Sequence, residues 1–130
     1  MPVKTATPDR GPTKRPQRIL LVDDDPFMLT LLPRILARKG FEVYVAGDAD
    51  TAERALEKLQ VDAVVADVQL PGRDGFSLAI AIQQRWPTVK IVFVTAFDID
   101  AFRKRAEVLG VRAFLSKPVR IEELIQHLTR

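Results

Sequence analysis

The chain has 130 residues, with 20 lysines and arginines against 17 aspartates and glutamates, and no cysteine. That length suits one domain with a core of its own, and the lack of thiols excludes disulfides, zinc–thiolate sites and cysteine catalysis. No apolar run reaches the length of a membrane span and no apolar secretory region opens the chain, so a cytoplasmic location is the default expectation.

The net charge of +3 is unevenly placed. Residues 1–18, MPVKTATPDRGPTKRPQR, carry Lys4, Arg10, Lys14, Arg15 and Arg18 against Asp9 alone, a net of +4 that leaves −1 for the remainder. This stretch also holds Pro2, Pro8, Pro12 and Pro16 and almost no large apolar residue, so it is predicted to be a disordered basic tail. A solvated leader is the preferred reading; an arm that binds nucleic acid would instead show salt-sensitive DNA binding that vanishes on deletion of residues 1–18.

From Ile19 to Arg130 short apolar runs alternate with segments of helical period. The first run, ILLV (19–22), leads into DDDP and then the helical segment FMLTLLPRILARK. Pro33 in that segment deletes a backbone donor and crowds the carbonyl of Leu29, which predicts a kink near Leu29 or a broken first turn. Gly40 ends it, and FEVYVA (41–46) is the second strand. Ala52, Ala55, Leu56 and Leu59 line one helical face before AVVA (63–66); a third helical segment stops at Trp86 and Pro87 before VKIVFV (89–94). Ile99, Phe102, Ala106 and Leu109 form the next face, closed by Gly110; AFL (113–115) is the last strand, and Ile121, Leu124, Ile125 and Leu128 mark the last helix. Continuous apolar strands alternating with helices imply a doubly wound α/β fold, a five-stranded parallel sheet covered on both faces.

In such a sheet the ligand crevice lies beyond the carboxyl ends of the strands. Strand 1 ends at Asp23, Asp24 and Asp25, strand 3 at Asp67, strand 4 at Thr95, and strand 5 runs into Ser116, Lys117 and Pro118. Adjacent carboxylates repel unless a cation or water reaches them, although aspartates at a strand-to-helix junction also serve as caps. Oxygen ligands without histidine or cysteine select a hard cation, with Mg²⁺ preferred over Ca²⁺ because the loop lacks the alternating ligands of a calcium loop. A carboxylate beside such an ion can attack phosphorus, and a lysine and a hydroxyl can neutralise and orient the transferred oxygens.

The stretches ILLVDDDP, DAVVADVQLPGRDGF, VFVTAF and AFLSKPV, in this order, resemble the receiver domain of bacterial response regulators, the CheY-like family, across residues 19–130. The resemblance implies the flavodoxin-like strand order 2-1-3-4-5. It also makes Asp67 the phosphoacceptor, Asp24 a direct Mg²⁺ ligand, Asp23 a ligand acting largely through metal-bound water, and Gln69 a ligand through its backbone carbonyl. Lys117 is implied to pair with a phosphoryl oxygen and to precede a cis bond to Pro118; Thr95 and Phe114 are the implied switch pair, and Gly75 matches the glycine that opens the third helix. The resemblance also makes Gln69 and Phe97 the positions that tune dephosphorylation, and a bulky Phe97 is expected to hinder the attacking water.

Asp25 inherits no catalytic role and is read as a solvated or capping carboxylate, His127 as an ordinary surface residue, and Trp86 as packing. The implied donor is a histidine kinase or histidine phosphotransfer protein, and the implied partner surface spans residues 98–129. A phosphoacceptor of this kind assists its own phosphorylation and is not a turnover enzyme. Because the chain stops where a fifth helix would finish, a stand-alone single-domain regulator is expected, with a fragment of a longer regulator as the alternative. Two other readings remain. One is a haloacid-dehalogenase-like phosphohydrolase with Asp23 as nucleophile, which leaves VQLPGRDG unexplained; the other is a pseudo-receiver acting only as a docking module.

Overall fold

The structure, a computed structural model, describes residues 15–97 and 99–130. Five parallel strands, β1 (Arg18–Val22), β2 (Glu42–Ala46), β3 (Ala63–Asp67), β4 (Lys90–Thr95) and β5 (Ala113–Ser116), form one sheet in the order β2-β1-β3-β4-β5. Between and after them run α1 (Leu32–Arg38), α2 (Ala49–Lys58), α3 (Gly75–Arg85), α4 (Asp100–Leu109) and α5 (Ile121–Thr129). The expected α/β flavodoxin-like order is therefore the observed one.

The two faces of the sheet carry separate cores, because side chains alternate along each strand. Leu20, Val22, Val64, Ala66, Ile91 and Phe93 pack beneath α2, α3 and α4, while Ile19, Leu21, Ala63, Val65, Val92 and Val94 pack against α1 and α5. Every residue of β3 is buried, as the unbroken run AVVA led one to expect of a strand covered on both sides.

Local signals account for most boundaries. Asp48 and Asp74 cap α2 and α3, their carboxylates accepting from Thr51 N at 2.7 Å and Ser77 N at 2.8 Å. Gly110 closes α4 in the left-handed conformation, φ 74°, and its N–H donates to Ala106 O and Glu107 O. Ile99 was expected on the buried face of α4, but it precedes the helix and is largely exposed.

Pro33 does disturb the first helix, in a specific way. Phe27–Leu31 form a π-helical turn that runs directly into α1, and Leu32 N donates to Phe27 O across the wider turn. Pro33 thereby falls in the first turn of α1, where a missing N–H costs little. The Thr30 hydroxyl donates to Pro26 O at 2.6 Å, satisfying one carbonyl of the widened turn.

The predicted tail needs correction at its inner end. Residues 1–14 lie outside the described residues, but 15–18 belong to the fold. Arg18 opens β1, its N–H donating to Asp62 Oδ2 at 2.7 Å and its guanidinium pairing with Glu42 at 3.0 Å. Arg15 reaches the same Asp62 carboxylate at 3.0 Å, and Gln17 O accepts from Glu42 N at 2.9 Å. Arg15 and Arg18, counted as solvated, thus find carboxylates brought close only by the sheet.

Candidate functional site

The carboxyl edge of the sheet gathers Asp23, Asp67 and Lys117. Asp23 extends the β1 ladder, its N–H donating to Ala46 O at 3.1 Å; Lys117 extends that of β5, its N–H donating to Thr95 O at 2.8 Å. Asp67 follows Ala63 and Val65 in the alternation and so lies on the α1/α5 side, whereas Thr95 follows Ile91 and Phe93 on the α2–α4 side.

Lys117 Nζ sits 2.9 Å from Asp67 Oδ2, 2.9 Å from Asp23 Oδ2 and 3.4 Å from Asp25 Oδ2. One ammonium therefore stands among three carboxylates, one at the end of β3 and two just after β1. Asp67 Oδ1 accepts from Gln69 N at 2.9 Å, and Asp23 Oδ1 from Asp25 N at 2.9 Å. The Lys117–Pro118 peptide bond is cis.

Burial and pairing oppose each other here. Asp23 has no exposed surface, and this desolvation holds its carboxyl above the ordinary range, although Lys117 and the Asp25 N–H pull it down. For Lys117 burial is the largest single influence and disfavours the ammonium, but the Asp23 and Asp67 carboxylates together outweigh it. The lysine is held above its ordinary range and stays charged.

Among the described residues no three carboxylate or histidine side chains close into a metal cage. A hard ion that keeps several waters needs only one or two carboxylates with phosphate oxygens, and Asp23 with Asp67 supplies such a pair. One buried atom supports the fit: Asp23 Oδ2, although close to the ammonium, accepts no aligned hydrogen bond from the chain. Asp24 is exposed, and among the described residues its carboxylate has no ionic partner.

Thr95 is fully buried, and its hydroxyl oxygen accepts from Phe97 N at 3.0 Å. Phe97 itself is 53% exposed, and Gln69 is exposed too. Phe114 is directly paired with Phe93 across β4 and β5, and so lies one same-face step from Thr95. His127 is half-buried on α5. Trp86 packs against the α2–α4 core with the Arg85 guanidinium 4.3 Å from its ring centroid.

Two features go further than the sequence implied. Asp25 does cap, accepting from Phe27 N at 3.0 Å, but its other oxygen also joins Lys117. Only the fold brings residues 25 and 117 together. At Gly75 a Cβ would sit 2.9 Å from Val68 Cα and still closer to the Asp67 carbonyl oxygen, so α3 can start this near Asp67 only without a side chain.

A five-stranded parallel sheet of this order, with an aspartate–lysine pair at its carboxyl edge, defines a doubly wound, flavodoxin-like class of α/β domains. The family model for the response regulator receiver domain matches residues 19–129, and the chain belongs to that family. Among curated relatives it is 35% identical to the transcriptional regulatory protein GlrR of Escherichia coli K12 over 112 residues, 86% of this chain and 25% of that protein. It is 31% identical to the heme response regulator HssR of Staphylococcus aureus JH9 over 106 residues, 82% of this chain and 47% of HssR. The chain thus spans a quarter to a half of the regulators it matches. Among solved structures it resembles the response regulator TrrA of Thermotoga maritima in complex with Mg²⁺–BeF, at 26% identity and TM-score 0.77, covering 87% of this chain and 96% of that one. It also resembles a Burkholderia pseudomallei response regulator with a phosphorylated aspartic acid, calcium ion and citrate, at 25% identity and TM-score 0.80, covering 86% of this chain and 66% of that one.

Proposed function

We propose that this receiver domain takes a phosphoryl group from a phosphohistidine, on a histidine kinase or histidine phosphotransfer protein, onto Asp67. The observation that carries the reading is the Asp67–Lys117 pair, a carboxylate and an ammonium 2.9 Å apart at the open edge of a parallel sheet. In the transfer an Asp67 oxygen attacks phosphorus, an O–P bond forms and the P–N bond breaks. The electron pair stays on the imidazole nitrogen, and the aspartate becomes an acyl phosphate.

Asp23, Asp24, Asp67 and the Gln69 carbonyl are the groups assigned to a divalent ion, read as Mg²⁺, which when bound supplies positive charge to the phosphoryl oxygens. Lys117 is poised to exchange one carboxylate partner for a phosphoryl oxygen, keeping its charge throughout. The Thr95 hydroxyl, now accepting from Phe97 N, turns to donate to the phosphoryl group, and Phe114 follows into the space released. The surface of residues 98–129 then controls a downstream domain or protein. On this reading the chain is a cytoplasmic phosphoacceptor that assists its own modification, not a turnover enzyme; among the described residues no helix is long and apolar enough to cross a membrane.

The test is intact mass after incubation with a small acyl-phosphate donor, with and without Mg²⁺, on wild type and Asp67→Asn. One phosphoryl adduct that requires both Mg²⁺ and Asp67 is expected. An adduct that survives Asp67→Asn, or a phosphatase activity that needs Asp23 but not Asp67, refutes the assignment.

A further inference from the structure

Residue 114 is phenylalanine, so no hydroxyl hydrogen bond can favour one placement of its ring over another. Whatever discriminates must act on the ring's edge or faces. Two neighbours do so. Phe93 meets Phe114 edge-to-face with centroids 6.5 Å apart, and the Arg103 guanidinium carbon lies 4.8 Å from the Phe114 centroid.

The first neighbour belongs to the fixed core. Phe93 is fully buried and meets Phe76 edge-to-face with centroids 5.2 Å apart, and Phe76 in turn meets Phe102 at 5.7 Å. Arg103 differs: it lies on α4, outside the sheet, and is half-buried. A planar guanidinium over an aromatic face is attracted by the ring quadrupole, and more strongly where water is partly excluded.

We propose that Arg103 is the positioning residue for Phe114, holding the ring in the arrangement of the unphosphorylated domain and so opposing the switch. This rests on the phosphoacceptor reading of Asp67. A contact made in only one of two arrangements shifts the balance by its own free energy, so its removal favours the other arrangement. For a cation–π contact at a half-exposed site the shift is about two- to fivefold.

The experiment titrates beryllium fluoride, a phosphoryl mimic, into protein saturated with Mg²⁺. Wild type, Asp67→Asn, Arg103→Ala, Phe114→Leu and the Arg103→Ala/Phe114→Leu pair are compared, and Mg²⁺ affinity without fluoride is measured for each. Arg103→Ala is expected to tighten beryllium fluoride binding about two- to fivefold while leaving Mg²⁺ affinity unchanged. In the Phe114→Leu background the same substitution is expected to change nothing, because the ring is gone. Unchanged or weaker binding in Arg103→Ala overturns the proposal, as does an equal effect with and without the Phe114 ring. If wild type fails to bind, or Asp67→Asn binds as tightly as wild type, the phosphoacceptor reading itself falls and the proposal falls with it.

Discussion

Substituting Gly75 by alanine tests whether the approach of α3 to Asp67 is as tight as the structure makes it. The φ of Gly75 is not positive, unlike those of Gly40, Gly72 and Gly110, so alanine meets no conformational objection there. By restricting the unfolded chain it should even gain about 0.4–1 kcal/mol. Against that, the new Cβ meets Val68 Cα at 2.9 Å and the Asp67 carbonyl more closely, and both obstacles are backbone. Overpacking of this kind costs about 1–3 kcal/mol, so the net loss should be about 1–2 kcal/mol, lowering the unfolding temperature by roughly 3–10 °C.

Gly47→Ala is the matched control: its φ is also not positive, and nothing lies within 4 Å of the added carbon. It should be neutral or slightly stabilising. Urea unfolding of both variants reads the midpoint, with the slope expected to stay constant. Acyl-phosphate labelling should fall in Gly75→Ala, because relief of the clash moves the Asp67 backbone. A Gly75→Ala protein as stable and as readily labelled as Gly47→Ala would refute the reasoning.

Asp48 is held below the ordinary carboxylate value of 3.8, chiefly by the Thr51 N–H it caps, so the folded state binds fewer protons than the unfolded one. Its contribution is present above that value and is lost as pH falls through the depressed folded pKa; Asp48→Asn, which keeps an acceptor, should flatten this acid limb in unfolding measured against pH. Lys117→Met leaves the buried Asp23 without its cation and should cost about 3 kcal/mol or more in metal-free urea unfolding, most of it recovered in the double variant with Asp23→Asn. Equal stability of the single and double variants would count against the ion pair. Phe97→Ala should shorten the life of the phosphoryl adduct followed by intact mass, because a bulky residue two places after Thr95 no longer screens attacking water; an unchanged decay would remove that role from Phe97.

Strands were the most legible part of the chain, since a strand covered on both faces must be apolar throughout, and AVVA and ILLV are. Their ends were less so. Apolar runs stop at Ala66, Val94 and Leu115, yet the strands continue one residue further to the polar Asp67, Thr95 and Ser116, which an apolar pattern does not announce. Pro33 announced a disturbance but not its form, because an α-kink and a π-turn satisfy the same local rule. The Arg15–Asp62 and Asp25–Lys117 contacts join residues 47 and 92 positions apart, and no periodicity carries such information.

The sheet also acts as a partition one residue thick. The Asp67–Lys117 pair stands at its rim with the α1/α5 face, while Thr95, Phe114 and the aromatic stack with Arg103 occupy the opposite face. On the proposed reading, substitutions among the aromatic side chains leave the charges of the Asp67–Lys117 pair in place, and changes in α1 leave the aromatic group in place. Thr95 stands at the rim of the second face, its hydroxyl accepting from the Phe97 amide, and on the proposed reading it is the group that links the two faces. On that reading it is the position least free to vary when such a domain is moved from one signalling circuit to another.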